Sequence, residues 1–180
     1  AVDHPGRPRG TIISAGMADA RWLDQVDAQL AAFEPIDLRE QVTASWARET
    51  EVDNEQEARA LLDDQWPFHF REPRGASLGD YRRRTRGLGR YAPDVIRHFA
   101  TAHYGGIDVA DRLADLAHPV LVLAGRHDRT CPVGASEELA AQLPNAQLVV
   151  FEESAHMMFV EEQERYVATV RQFLDRITGG

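Results

Sequence analysis

Three runs of apolar residues are too short and too dense to be anything but strands. RGTIISAG (9–16) is brief and ends in small residues; PVLVLAG (119–125) and AQLVVFE (146–152) follow much later. The last two lack the apolar/polar alternation of a half-exposed strand, and a helical pattern follows each, which predicts a parallel sheet covered on both faces. After the second strand comes PVGASEELAAQL (132–143). After the third comes FVEEQERYVATVRQFLDRI (159–177), with Val160, Val167, Val170, Phe173, Leu174 and Ile177 spaced as one buried stripe and Glu161, Glu164 and Arg171 outside it.

Between the first and second strands the period is helical throughout. Leu23, Val26, Leu30 and Phe33 line one helix, and Leu61 and Leu62 belong to another begun by the cap residue Asn54. Val95, Ile96 and Phe99 belong to a third behind Pro93, and REPRGAS (71–77) is the clearest break. The chain therefore divides into a core strand (1–18), a helical cap domain (19–117) and a second core block (118–180). Acids dominate from Glu34 to Asp64 and arginines from Arg71 to Arg97. Either opposed helices neutralise each other, or some carboxylates face a pocket and hold a cationic substrate group. DQWPFHF (64–70) reads either as an aromatic pocket wall or as core anchors, Trp66 and Phe68 above all.

Composition narrows the chemistry. A net charge of −9 disfavours nucleic acid; the one basic stretch, YRRRTRGLGR (81–90), reads as a solvated helix face. All 20 basic residues are arginine. Without lysine the chain can form neither an imine with pyridoxal phosphate or substrate nor a Walker phosphate loop. No run is long enough for a membrane span, and AVDHPGRPRG has no apolar signal core. A lone cysteine, Cys131, suits a reducing cytoplasm. His98 and His103 are five apart, off any common helical face, and paired-cysteine or HExxH motifs are absent, so no metal is expected.

In a parallel sheet the functional groups gather where the strands end. Asp128 lies three residues past Gly125, and His156 four past Glu152. Neighbouring strands would put both loops on one rim, where the carboxylate can orient one imidazole nitrogen and leave the other free to take a proton from a nucleophile. Each residue alone also has a plain reading: Asp128 as a turn or N-cap residue, His156 as a surface histidine. His127 is a rival base on the wrong side of the acid. Cys131 reads as a small buried thiol that shares the acid's loop.

Residues 118–174, from HPVLVLAGRHDRTCPVG through FEESAHMMFVEEQERY to RQFL, resemble the C-terminal third of the α/β-hydrolase fold. HPGRPRGTIISAG (4–16) resembles the segment that follows the nucleophile helix in that superfamily, and the helices after it stand where a cap domain is inserted. SAHMMFVEEQERYVATVRQFL and the long cap look most like proline iminopeptidases, serine aminopeptidases whose cap carboxylates hold the substrate's free amine. Esterases, lactonases and carbon–carbon hydrolases share the same end block. The resemblance implies a Ser-His-Asp triad with Asp128 as acid and His156 as base, no cofactor, and a small-molecule or short-peptide substrate.

The nucleophile is the missing member. The family places it in Gly-x-Ser-x-Gly, and this motif is not in the sequence. Ser14 in IISAG has Gly16 two residues after it but Ile12 two before, where a β-branched side chain would clash in an elbow. The expectation is therefore a serine upstream of Ala1, on a complementary N-terminal segment or chain that also covers the open edge of the sheet. A non-catalytic, hydrolase-like binding protein is the alternative of another class.

Overall fold

The three apolar runs form one parallel sheet in a computed structural model, which describes residues 1–101 and 104–179. Strands β1 (Thr11–Ser14), β2 (Val120–Gly125) and β3 (Ala146–Phe151) lie in the order β1-β2-β3. Thr11 pairs with Val120, which pairs with Ala146, so the strands run in step and end on a common rim. β2 is buried along its whole length, as a central strand between two helix layers must be. β3 is not: Gln147 is exposed and only Phe151 is fully buried, because β3 is an edge strand. Here the apolar run overstates burial.

The two faces of the sheet have separate cores. Val120 and Val122 pack with Leu139 of α6 (Val133–Gln142) and with Leu143 just after it. Leu121, Leu123 and Phe151 pack on the other face against Met158 of α7 (Met158–Glu161) and Phe173 of α8 (Gln163–Thr178). The expected single C-terminal helix is thus broken at Glu162, and its stripe is only partly covered. Phe173 is buried, but Val167 and Leu174 are about 40% exposed. Glu161, expected outside, turns inward.

The insertion between β1 and β2 is helical, as its period predicts. A 3-10 turn (Ala20–Gln25) leads into α1 (Val26–Ala31), α2 (Ile36–Ala47), α3 (Glu55–His69), α4 (Ala76–Thr85) and α5 (Pro93–Thr101). The start of α3 is fixed by a reciprocal cap: Asn54 Oδ1 accepts from Glu57 N (3.0 Å), and Glu57 Oε2 accepts from Asp53 N (2.9 Å). Phe33, Val42 and Phe68 centre the insertion's own core, so Phe68 is an anchor, with Phe33 and Phe68 edge-to-face at 5.4 Å. Trp66 is half-buried and edge-on to Tyr81.

Charge complementarity across the insertion takes its plain form: Arg74 pairs with Asp37, Arg48 with Asp64 and Arg97 with Asp53. α5 departs from the expected pattern, since Val95 and Phe99 are 52% and 40% exposed and none of its residues is fully buried. His103 lies outside the described residues.

The insertion is pinched at its base. An antiparallel bridge joins Asp19 to Asp108, with Val109 N donating to Ala18 O (2.9 Å) and Ala20 N to Ile107 O (2.8 Å). Leu113 and Leu116 lie beyond the bridge and pack on the sheet with Val120 and Val122. Val109, Ala110, Leu113 and Leu116, within the stretch the sequence assigns to the cap, thus pack with the core of the sheet. Periodicity marks them as helical but cannot show which layer receives their side chains.

Candidate active site

The acid loop leaves the rim at the end of β2. Its course is set by close contact with the loop after β3: Arg126 N donates to Phe151 O (2.9 Å) and His127 N to Ser154 O (3.0 Å). The backbones meet at Gly125, where a Cβ would lie 1.9 Å from Ala155 O. Only glycine permits that approach. His127, the rival base, is exposed on this segment.

Asp128 is fully buried in its side chain and uses its two oxygens differently. Oδ1 accepts from Thr130 N (2.8 Å) and Cys131 N (2.9 Å), tying the turn before Pro132 and α6. Oδ2 lies 2.9 Å from His156 Nδ1. The turn reading and the acid reading of Asp128 are thus both true, one on each oxygen. Since a carboxylate only accepts, Nδ1 carries the proton in the neutral ring and Nε2 is left as the basic nitrogen.

The histidine loop is braced from the chain that follows it. Glu161 Oε2 accepts from Ala155 N (2.8 Å), and Glu162 Oε2 accepts from Ser154 Oγ (2.7 Å) and Glu153 N (3.1 Å). Glu161 Oε1 also accepts from the cap, at Arg71 N (2.8 Å). Burial raises the Glu161 carboxyl above its ordinary range, and these hydrogen bonds oppose that shift. Helical spacing places Glu161 on the solvent face, but the helix break at Glu162 re-aims it.

A second imidazole stands beside the first. His69, the last residue of α3, has its ring centroid 5.2 Å from that of His156, and its carbonyl accepts from His156 N (3.1 Å). Its Nδ1 lies 3.2 Å from Thr130 Oγ1. Arg129 anchors the same cap segment through Phe68 O (3.1 Å) and Phe70 O (2.8 Å). The sequence offered no signal for His69 beyond its place among aromatics.

The two imidazoles are driven in opposite directions. Burial, then the neighbouring positive charge of His156, lowers His69 to about 3. Burial also works against charge on His156, but the charge and hydrogen bond of Asp128 outweigh it and raise the ring to about 10. The signs give opposite pH windows. His69 stabilises the fold fully above 6.5, and that contribution is lost as pH falls towards 3. His156 stabilises it fully below 6.5, and that contribution is lost as pH rises through about 10. Thermal unfolding across pH is expected to show these two losses on either side of pH 6.5, with the alkaline one absent in His156→Ala. A melting temperature still rising at high pH would contradict it.

Cys131 is buried, as expected, but it does not stand apart from the pair. Donor atoms of Asp128, Cys131 and His156 lie within 4.8 Å of one another. Burial pushes the thiol up, which keeps it protonated, and both Asp128 oxygens are already engaged. The arrangement is that of a hydrogen-bonded pair rather than an open ligand set. Ser14, the in-chain nucleophile candidate, is paired in register with Leu123. Its Oγ accepts from Tyr166 OH (3.3 Å), on the face that α8 covers, and it makes no hydrogen bond to His156. No helix among the described residues is long and apolar enough to cross a membrane.

An acid and a histidine on adjacent loops of a parallel sheet, under a helical insertion, agree with the family whose model matches residues 15–163, the alpha/beta hydrolase fold. The chain belongs to that family. Among its relatives, a pimeloyl-[acyl-carrier protein] methyl ester esterase of Vibrio parahaemolyticus is 39% identical over 67 residues, 37% of this chain and 26% of the relative. A proline iminopeptidase of Lactiplantibacillus plantarum is 26% identical over 179 residues, 93% of this chain and 60% of the relative. An alpha/beta fold family hydrolase from Bacillus anthracis superposes with a TM-score of 0.69 at 24% identity, over 94% of this chain and 58% of that one. The chain thus spans less than two thirds of the length of these proteins.

Proposed function

We propose that this chain supplies the acid, the base and the cap of a serine hydrolase, and that a complementary segment or chain pairing with β1 supplies the serine. The observation that carries the reading is the 2.9 Å contact between His156 Nδ1 and the buried Asp128 Oδ2. In the proposed reaction the serine Oγ attacks the substrate carbonyl as His156 Nε2 takes its proton. Asp128 holds the ring and stabilises the imidazolium. That proton then passes to the leaving group as the tetrahedral intermediate collapses to the acyl-enzyme. Water, deprotonated by Nε2, releases the acid product and restores the serine. The base must be neutral to begin, so kcat/KM rises with pH as His156 loses its proton.

Within this class we infer an aminopeptidase of the proline iminopeptidase type. A cap cavity of about 490 Å³ is lined by Asp24, Asp27 and Glu49 together with Trp46, which suits a substrate with a free amine. The second reading, an esterase acting on a neutral acyl group, is favoured by the 67 residues shared with the Vibrio esterase at higher identity. Carbon–carbon bond hydrolysis is a further variant of the same site. A reducing, cytoplasmic setting suits the unpaired Cys131.

The test uses the protein as it purifies natively. A fluorophosphonate probe should label a serine outside residues 1–180, on an upstream segment of the same polypeptide or on a companion one, the two being told apart by intact mass under denaturing conditions. Proline arylamide hydrolysis that requires the free amine supports the peptidase. Turnover of short acyl esters alone supports the esterase. No labelling and a single mass would leave a hydrolase-like binding protein and overturn the catalytic reading.

A further inference from the structure

One side chain beside the acid–base pair has more connections than packing requires. From the helical insertion, His69 touches both loops that carry the acid–base pair. Through Nδ1 it meets Thr130 Oγ1 (3.2 Å), two residues after Asp128 on the acid loop. Through its carbonyl it accepts from His156 N (3.1 Å) on the histidine loop. Its ring lies against that of His156 at 5.2 Å and 50°, backed by Trp66 (5.8 Å), Phe68 (6.1 Å) and Trp46 (6.2 Å). The segment on either side is held as well: Arg129 reaches Phe68 O, Phe70 O and Arg71 O, and Glu161 joins Arg71 N to Ala155 N.

Accordingly, we propose that His69 is a positioning residue for the acid–base pair, a cap-borne tie between the Asp128 and His156 loops that fixes the separation and tilt at which the two side chains meet. The inference rests on the roles proposed above for Asp128 and His156. Its physical basis is simple. The two loops are joined to each other by backbone contacts near Gly125, but the acid turn and the imidazole ring lie beyond those contacts. Something must span them on the far side, and a neutral ring can do so without adding a second positive charge beside the imidazolium. Burial, before any other cause, keeps His69 in that neutral state.

His69→Phe keeps a ring in the aromatic nest and the backbone carbonyl, but removes the bond to Thr130. Thr130→Val removes the same bond from the core side and guards against a cap that fails to fold. Each variant is expected to lower kcat roughly 10–100-fold, as small misplacements of a catalytic group do, with KM little changed. The double variant should be no worse than either single one. His69→Asn, which retains a nitrogen or oxygen near the Nδ1 position, should recover most of the loss. In NMR titrations the His156 midpoint should fall from its raised value towards the ordinary imidazole value in the Phe and Val variants. Unchanged kcat and titration in both variants, or effects that simply multiply, would overturn the role of His69. A wild-type protein that hydrolyses nothing overturns the proposed reaction instead, and the titration still reads the tie independently.

Discussion

Under the proposed reaction, Asp128→Asn is expected to cut kcat by about 10⁴-fold while leaving the fold intact. The asparagine amide matches the carboxylate in size. Its oxygen can still serve Thr130 N and Cys131 N, the contacts that Asp128 Oδ1 makes at 2.8 and 2.9 Å. The change then falls on the other position, where an NH₂ group replaces the acceptor facing His156 Nδ1. Two donors cannot share that contact, so the ring must turn its proton to Nε2 or move away. Either outcome removes the basic nitrogen from the reacting serine. The imidazolium also loses the buried charge that raises His156 to about 10, so the variant's histidine should titrate much lower. Circular dichroism and thermal unfolding should report a folded chain, and steady-state kinetics the loss. A loss below tenfold would remove Asp128 from the mechanism.

Gly125→Ala is the second large effect, and it acts through the backbone. An added methyl would sit 1.9 Å from Ala155 O and 2.7 Å from Ala155 C, with Ser154 O at 2.8 Å. All three are main-chain atoms of the histidine loop, so no rotamer change relieves the clash. The loops must part, breaking the His127 N to Ser154 O bond. We expect a destabilisation of about 3 kcal/mol or more, at the high end for a single substitution, because overpacking and a lost buried hydrogen bond act together. Denaturant unfolding reads the first consequence. If the variant folds, loss of the raised His156 titration reads the second. Wild-type stability with an undisturbed titration would show that the loops tolerate separation.

What could be read from the sequence follows a physical division. The sheet was legible because β1, β2 and β3 each carry their signal locally, in short apolar runs between turn residues. The pairing of Asp128 with His156 was legible because parallel topology sends both loops to one rim. Burial at the edges was less so: the exposure of Gln147 depends on β3 having no outer neighbour in this sheet. His69 and Glu161 were illegible for a further reason. Their partners lie 61 and 90 residues away, at Thr130 and Arg71, and only docking of the helical insertion brings them together. Cys131 shows the same limit. Its burial was foreseeable, whereas its closeness to His156 required the acid turn to close around Asp128 Oδ1.

The mooring of residues 68–71 to Arg129, Thr130 and Glu161 ties the helical insertion to both loops at the rim of the sheet. A hinge at that seam would pull on the two loops that carry Asp128 and His156 and disturb the 2.9 Å contact between them. Any opening of the insertion that leaves the Asp128–His156 contact in place would therefore have to hinge elsewhere than at residues 68–71.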